Sequence, residues 1–315
     1  MRTALLSCLL LLLWPITRAS GGDERKEFQQ CVRACESRTD CEARIGTALK
    51  WTGWSCQGNC RYECMREDVL YTRQQGQKTH QYYGKWPFVR FLGAQEVFSV
   101  IFSLGNLLAH IYGHCWIYGG GSWLCGLNFL IACNCWVQSA IFHYRDTRIT
   151  ERLDYFSACL YIFSALGMAL RRNVDPAVRR VTRTHAVITV ALIALYLQHI
   201  YYMAYVDFDY GYHVKFNAVI AAMTHALFVR YIYRLKRAKT PRAALIRAYS
   251  EFLVGSLLTT LMVTIDFPPI FDLVDMHALW HLSTIPLTLQ WYRILALEEK
   301  AGGARAGAGR TRRHK

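Results

Sequence analysis

From about residue 91 to residue 297 the chain alternates long apolar runs with short polar connections, and seven of the runs are long enough to cross a bilayer. They fall at 91–112, 122–142, 154–170, 184–206, 214–234, 243–265 and 276–297. The pattern predicts an all-α fold, a seven-transmembrane helix bundle. Gln95 and Glu96 interrupt the first run, and Lys215 and Arg247 lie near the ends of the fifth and sixth.

Ahead of the bundle lie two segments of different character. Leu5 to Trp14 is apolar but too short to span, follows Arg2, and precedes the small residues Ala19 and Ser20, so residues 1–20 read as a secretory signal peptide. Residues 21–90 are polar and hold Cys31, Cys35, Cys41, Cys56, Cys60 and Cys64. So short an exported segment buries too little apolar surface to fold unaided, and an even cysteine number predicts a disulfide-stapled luminal domain. A zinc knuckle is the competing reading. The CxxxC spacing differs from the usual CxxC, and an oxidising compartment favours disulfides. Spacing alone leaves the pairing open. Cys115, Cys125, Cys133, Cys135 and Cys159 fall in or beside apolar runs and read as buried free thiols.

A formal net charge of +15 would suit a nucleic-acid partner, but its distribution points elsewhere. With a luminal N-terminus, the connection between the third and fourth runs carries Arg171, Arg172, Arg179, Arg180 and Arg183 on the cytosolic side. The next cytosolic connection carries Arg234, Lys236, Arg237, Lys239 and Arg242, and residues 298–315 form a basic cytosolic tail whose Gly/Ala/Arg composition predicts disorder. The luminal connections around Asp207 and Asp266 are acidic or neutral; the exception is 144–153, with Arg145, Arg148 and Arg152. Orientation thus explains the basic balance, and no nucleic-acid partner is expected.

Placed on this topology, five ionisable or hydroxyl residues collect at luminal helix ends: Ser139 and His143 close the second run, Asp154 opens the third, and His277 and His281 open the seventh. Residues four apart share a helix face, about 6 Å apart along the axis, so His277 and His281 can aim at one ion and Ser139 lies beside His143. Three imidazoles plus an open position is the ligand count of a hydrolytic zinc site, so Zn2+ is the expected cofactor. Asp154 would then be general base, and Ser139 a donor to the developing oxyanion. Each residue also has a plainer reading. A lone histidine in a span is commonly a hydrogen-bonded core residue, serine commonly bonds a helix carbonyl, and Asp154 at a helix start suits an N-cap. Their shared depth favours function, because polar groups in spans are costly. His199 and His225 stand alone in their segments.

The chain resembles the PER-like family in Gly84-Lys85-Trp86-Pro87-Phe88, in Ser139 to Thr147, in Leu153-Asp154-Tyr155-Phe156, in Phe208 to Tyr212, in Asp266-Phe267-Pro268-Pro269, and in Asp275 to Pro286. The six-cysteine segment matches as well. That family is similar to a wider group of seven-span hydrolases that includes alkaline ceramidases and adiponectin-type receptors. The resemblance implies His143, His277 and His281 as zinc ligands, with Ser139 and Asp154 completing the site. It also implies phospholipase A2-type removal of the unsaturated sn-2 acyl chain from the lipid of GPI-anchored proteins, giving a lyso-form, in the Golgi membrane or, as in fungal members, the endoplasmic reticulum. The competing functions are a ceramidase-like amidase and a non-catalytic seven-span receptor or escort for GPI-anchored proteins.

Overall fold

A computed structural model describes residues 20–174, 181–238 and 242–311. The signal-peptide reading of residues 1–20 falls almost wholly outside the described residues, as do Arg179, Arg180, Lys239 and the end of the tail. Among the described residues every element is helical apart from isolated bridges.

The cysteine-rich segment builds on α1 (Lys26–Glu36), two short helices α2 (Cys41–Arg44) and α3 (Thr47–Trp51), and α4 (Cys56–Gln74). The CxxxC spacing puts Cys31 and Cys35 on one face of α1, and Cys60 and Cys64 on one face of α4. Antiparallel packing of those faces yields Cys31–Cys64 and Cys35–Cys60, and Cys41–Cys56 closes the turn between them. The knuckle reading is thereby excluded. Cys41 and Cys60 sulfurs lie 3.6 Å apart because two disulfides stack, with every sulfur already bonded. Phe28, Val32, Val69 and Tyr82 fill the small core around the staples.

Seven long helices follow: α5 (Val97–Tyr112), α6 (Trp123–Tyr144), α7 (Arg148–Asn173), α8 (Val181–Tyr201), α9 (Tyr210–Lys236), α10 (Ala243–Met262) and α11 (Met276–Thr311). The first and fourth continue as π-helical turns over Gly113–Tyr118 and Tyr202–Val206. Among the described residues four spans are long and apolar enough to cross a membrane: Val97–Tyr118, Trp123–Tyr144, Arg148–Asn173 and Arg183–Val206. The last three long helices pack in the same bundle but carry charges, such as Lys215, Arg230 and Arg234 in α9 and Arg247 and Glu251 in α10. The α11 backbone runs to Thr311.

The bundle is inverted relative to a water-soluble one. On α5, Ser99, Ser103, Asn106 and His110 are buried while Ile101, Leu104 and Leu108 face outward, and α8 likewise exposes Val187, Val190 and Ile193. Such a surface is stable only against lipid, so this is a multi-pass membrane protein. At the end remote from the cysteine-rich domain, Glu298 accepts hydrogen bonds from Arg172 (3.0 and 2.6 Å) and from the hydroxyls of Tyr249 (2.7 Å) and Tyr231 (3.3 Å), which ties α7, α9, α10 and α11. At the near end the cysteine-rich domain docks on the bundle. Trp54 donates to the Gly93 carbonyl (3.0 Å) and lies between the guanidinium groups of Arg90 and Arg145, each 4.2 Å from its ring.

Candidate metal centre

Three of the five expected site residues converge on one point. Nε2 of His277 lies 3.3 Å from Nε2 of His143 and 2.9 Å from Nε2 of His281. His143 closes α6, while His277 and His281 are one turn apart on α11 and so share its inward face. His143 and His281 are buried and His277 is exposed, so the cluster opens on the His277 side.

The outer nitrogens fix which ring atom carries the proton. Nδ1 of His143 is 2.7 Å from a carboxylate oxygen of Glu96, an acceptor only, so Nδ1 holds the hydrogen. Nδ1 of His281 is 2.9 Å from Ser103 Oγ, whose own hydroxyl donates to the Ser99 carbonyl at 2.7 Å, so here too Nδ1 donates. Both rings therefore turn a lone pair on Nε2 towards His277 Nε2, which can satisfy at most one of them with its single proton. At least one pair of lone pairs faces each other at about hydrogen-bond distance, an arrangement that a shared cation relieves. Tetrahedral zinc with Zn–N of about 2.0–2.1 Å places its nitrogens roughly 3.3–3.4 Å apart, which matches the 3.3 Å between His277 and His143 and asks the 2.9 Å between His277 and His281 to open slightly. The donor set fits zinc: three neutral imidazoles, two with their second nitrogen anchored.

Asp154 and Ser139 lie beside this triangle. The Asp154 carboxylate is near enough to Ser139, His143, Lys85 and Glu96 to feel their charges and dipoles. It does not cap α7. Thr147 does so, accepting from Thr150 N (3.2 Å) while Thr150 Oγ1 accepts from Thr147 N (2.9 Å). The sequence placed the helix start at Asp154 because the charged turn 148–153 looked like a loop; the reciprocal threonine pair begins the helix before it. Ser139 Oγ is 3.2 Å from Ser103 Oγ and is also within hydrogen-bonding reach of the Asp154 carboxylate, so its one proton has two acceptors beside it.

Several members of the site were not anticipated from sequence. Glu96 stood out only as an interruption of an apolar run, yet it holds His143 and is itself paired with Lys85 (2.7 Å). Asn106 donates to the His281 carbonyl (2.8 Å) and accepts from Thr284 (3.1 Å). A signal for both was present, because residues 96, 99, 103, 106 and 110 recur at helical spacing and make a polar stripe on an otherwise apolar helix. His199 and His225 are not isolated: His199 Nε2 meets His213 Nδ1 at 3.1 Å, and His225 Nε2 meets Ser256 Oγ at 3.0 Å. The apolar-run thiols are free, with Cys125, Cys135 and Cys159 buried, Cys133 half-buried and Cys115 exposed.

Comparison with known proteins supplies a family. The model of the Per1-like family matches residues 46–298, a stretch that contains all five site positions. The Protein PER1 homolog of Schizosaccharomyces pombe is 33% identical over 290 residues, covering 87% of this chain and 86% of that protein. A mouse protein, GPI-specific phospholipase A2-like PGAP3, is 34% identical over 306 residues, covering 91% of this chain and 92% of its own. The Post-GPI attachment to proteins factor 3 of Drosophila melanogaster is 32% identical over 323 residues, covering 93% and 94%. No solved structure matches the chain. The family match spans most of the sequence and the relatives align nearly end to end: this chain belongs to the Per1-like family.

Proposed function

We propose that this protein is a zinc-dependent acyl ester hydrolase that removes the unsaturated sn-2 chain from the lipid of GPI-anchored proteins, a GPI-specific phospholipase A2 that yields the lyso-form. The observation that carries the reading is the convergence of three Nε2 atoms, two of them with tautomers fixed so that lone pairs meet. The names of the relatives supply the substrate class.

In this reading all seven long helices span the membrane, the disulfide domain and the metal centre are luminal, the tail is cytosolic, and the Golgi is the site of action, with the endoplasmic reticulum as alternative. His143, His277 and His281 hold the metal. Bound zinc supplies Lewis acidity, polarising an ester carbonyl and acidifying a water at neutral pH. Asp154 takes the proton of the attacking water and passes it to the departing alkoxide of the glycerol. Ser139 turns its hydroxyl to the carbonyl oxygen as negative charge grows there. The rim at exposed His277 admits the ester from the luminal leaflet.

The test uses purified full-length protein in detergent with a GPI-anchored substrate bearing an unsaturated sn-2 chain. Mass spectrometry should find the free unsaturated fatty acid and lyso-GPI in equal amounts. A chelator should abolish release, and His281→Ala should lower zinc content and release together. Fatty acid freed from ceramide and not from GPI would make the protein an amidase. Substrate binding with no release from either lipid would make it an escort.

A further inference from the structure

We propose that Glu96 is the positioning residue for His143, and that Lys85 of the disulfide-stapled segment holds Glu96 in place, so that the luminal domain completes the metal centre. This rests on the reading of His143 as a metal ligand and extends it to residues outside the ligand set.

Glu96 is buried, and both its carboxylate oxygens are occupied. Oε2 takes the Nδ1 hydrogen of His143 at 2.7 Å, and Oε1 takes a hydrogen from Lys85 Nζ at 2.7 Å. The backbone joins the same two residues a second time, since Glu96 N donates to the His143 carbonyl at 3.0 Å and Gln95 N donates to that of Tyr144 at 3.0 Å. The ring of His143 is thus held at its outer nitrogen and its backbone at its carbonyl, which leaves Nε2 one direction to point. A carboxylate on Nδ1 fixes the tautomer and makes the ring a stronger donor.

Lys85 does not belong to the bundle. It closes the turn Tyr82-Tyr83-Gly84-Lys85, in which Tyr82 N donates to the Lys85 carbonyl (2.8 Å) and Lys85 N returns the bond (3.0 Å). Tyr83 and Gly84 both have positive φ, 50° and 77°, so the second position favours glycine. The other end of the turn is anchored in the disulfide core. The Tyr82 ring packs edge-on against Phe28, and its hydroxyl donates to Asp68 of α4 at 2.5 Å. From that anchor the Lys85 ammonium lies 4.1 Å above the Phe142 ring and bridges Glu96 to Asp146 (3.1 Å). A continuous path therefore runs from the stapled helices through Tyr82, Lys85 and Glu96 to a ring that faces the metal position. It also gives a role to Gly84 and Lys85, which the hydrolytic chemistry alone leaves without one.

The measurement is the zinc dissociation constant of the full-length protein in detergent, by competition with a chelator, beside its thermal midpoint. Glu96→Gln and Lys85→Met remove one charge each. The double variant removes both, so it folds without a buried unpaired charge. Glu96→Gln and the double variant should bind zinc about 10–100-fold more weakly, the range for losing such an outer partner. Lys85→Arg should recover most of what Lys85→Met loses. A purely structural role would lower the midpoint of the double variant and leave its affinity alone, and an affinity within twofold of the parent overturns the proposal. If the parent itself binds no zinc, the metal-centre reading falls and takes this one with it. If the parent binds zinc and the double variant binds it equally well, only the positioning role falls.

Discussion

Thr147 and Thr150 cap α7 reciprocally, each side chain accepting from the other's backbone N–H, and this places Asp154 almost two turns inside the helix with no capping duty. Asp154→Asn therefore tests chemistry with little effect on the fold. Expression and zinc content should match the parent, while lipid release falls by at least about 10²-fold, the usual scale for losing a general base. Loss of zinc along with activity would make the carboxylate an anchor for the ligands instead. Thr147→Ala is the converse control. It should lower stability by about 1 kcal/mol in thermal unfolding and leave the rate per folded molecule unchanged.

The clustering of His143, His277 and His281 was legible because membrane-spanning helices tolerate so few polar residues. Ser139, His143, His277 and His281 declared themselves by i,i+4 spacing at one depth, and the structure gathers them within a few ångströms of one another. Glu96 and Lys85 were not legible, for a physical reason. Their partners lie 47 and 11 residues away, and a lone carboxylate in an apolar run looks the same in sequence whether it orients a histidine or merely ends a helix. Helix count was legible from hydropathy, whereas the charges of α9 and α10 hide how those helices sit in a bilayer. Disulfide pairing became unique only once α1 and α4 were seen to run antiparallel.

Those nested bridges give a second expectation. Mass mapping under non-reducing conditions should find Cys31–Cys64, Cys35–Cys60 and Cys41–Cys56, with Cys115, Cys125, Cys133, Cys135 and Cys159 unpaired. Cys60→Ala removes the middle staple of a domain with a core of few residues and should cost about 2–5 kcal/mol of domain stability. The lost molecules should be retained early in the secretory pathway, and those that fold should keep their zinc affinity only if the Tyr82–Lys85 turn stays docked.

Orientation is checked by protease protection. The charge asymmetry predicts residues 21–90 in the lumen and the tail in the cytosol. Protease added to intact microsomes should clip a tag placed after Lys315 and spare one placed after Asp23. The opposite result would put the metal centre on the cytosolic side, away from the lumen where the acyl chemistry is proposed.

The disulfide-stapled domain grips the bundle at a second place, the loop that leads into α11, and that grip has a defined pH dependence. Asp272 accepts hydrogen bonds from Arg66 (3.0 Å) and from both terminal nitrogens of Arg73, and its carbonyl accepts from Val89 N (2.8 Å). Phe271 and Asp272 have φ of 55° and 58°, a strained pair for residues other than glycine, which these bonds hold. Burial pushes the Asp272 carboxyl up, but the hydrogen bonds and charges of Arg73 and Arg66 outweigh it and hold it below the ordinary value of 3.8. Because the folded value is the depressed one, the carboxylate binds its proton more readily in the unfolded chain. Its contribution to stability is complete above about pH 4 and is lost as pH falls through the folded value. Arg73→Met should therefore lower stability by about 1–3 kcal/mol at pH 7, the scale of a hydrogen bond to a charged group. The deficit should be the same at pH 5 and should shrink below pH 4, where the parent loses the interaction too. Thermal midpoints of the two proteins across that range decide it: a deficit that disappears between pH 7 and pH 5 would mean that a group other than Asp272 carries the grip.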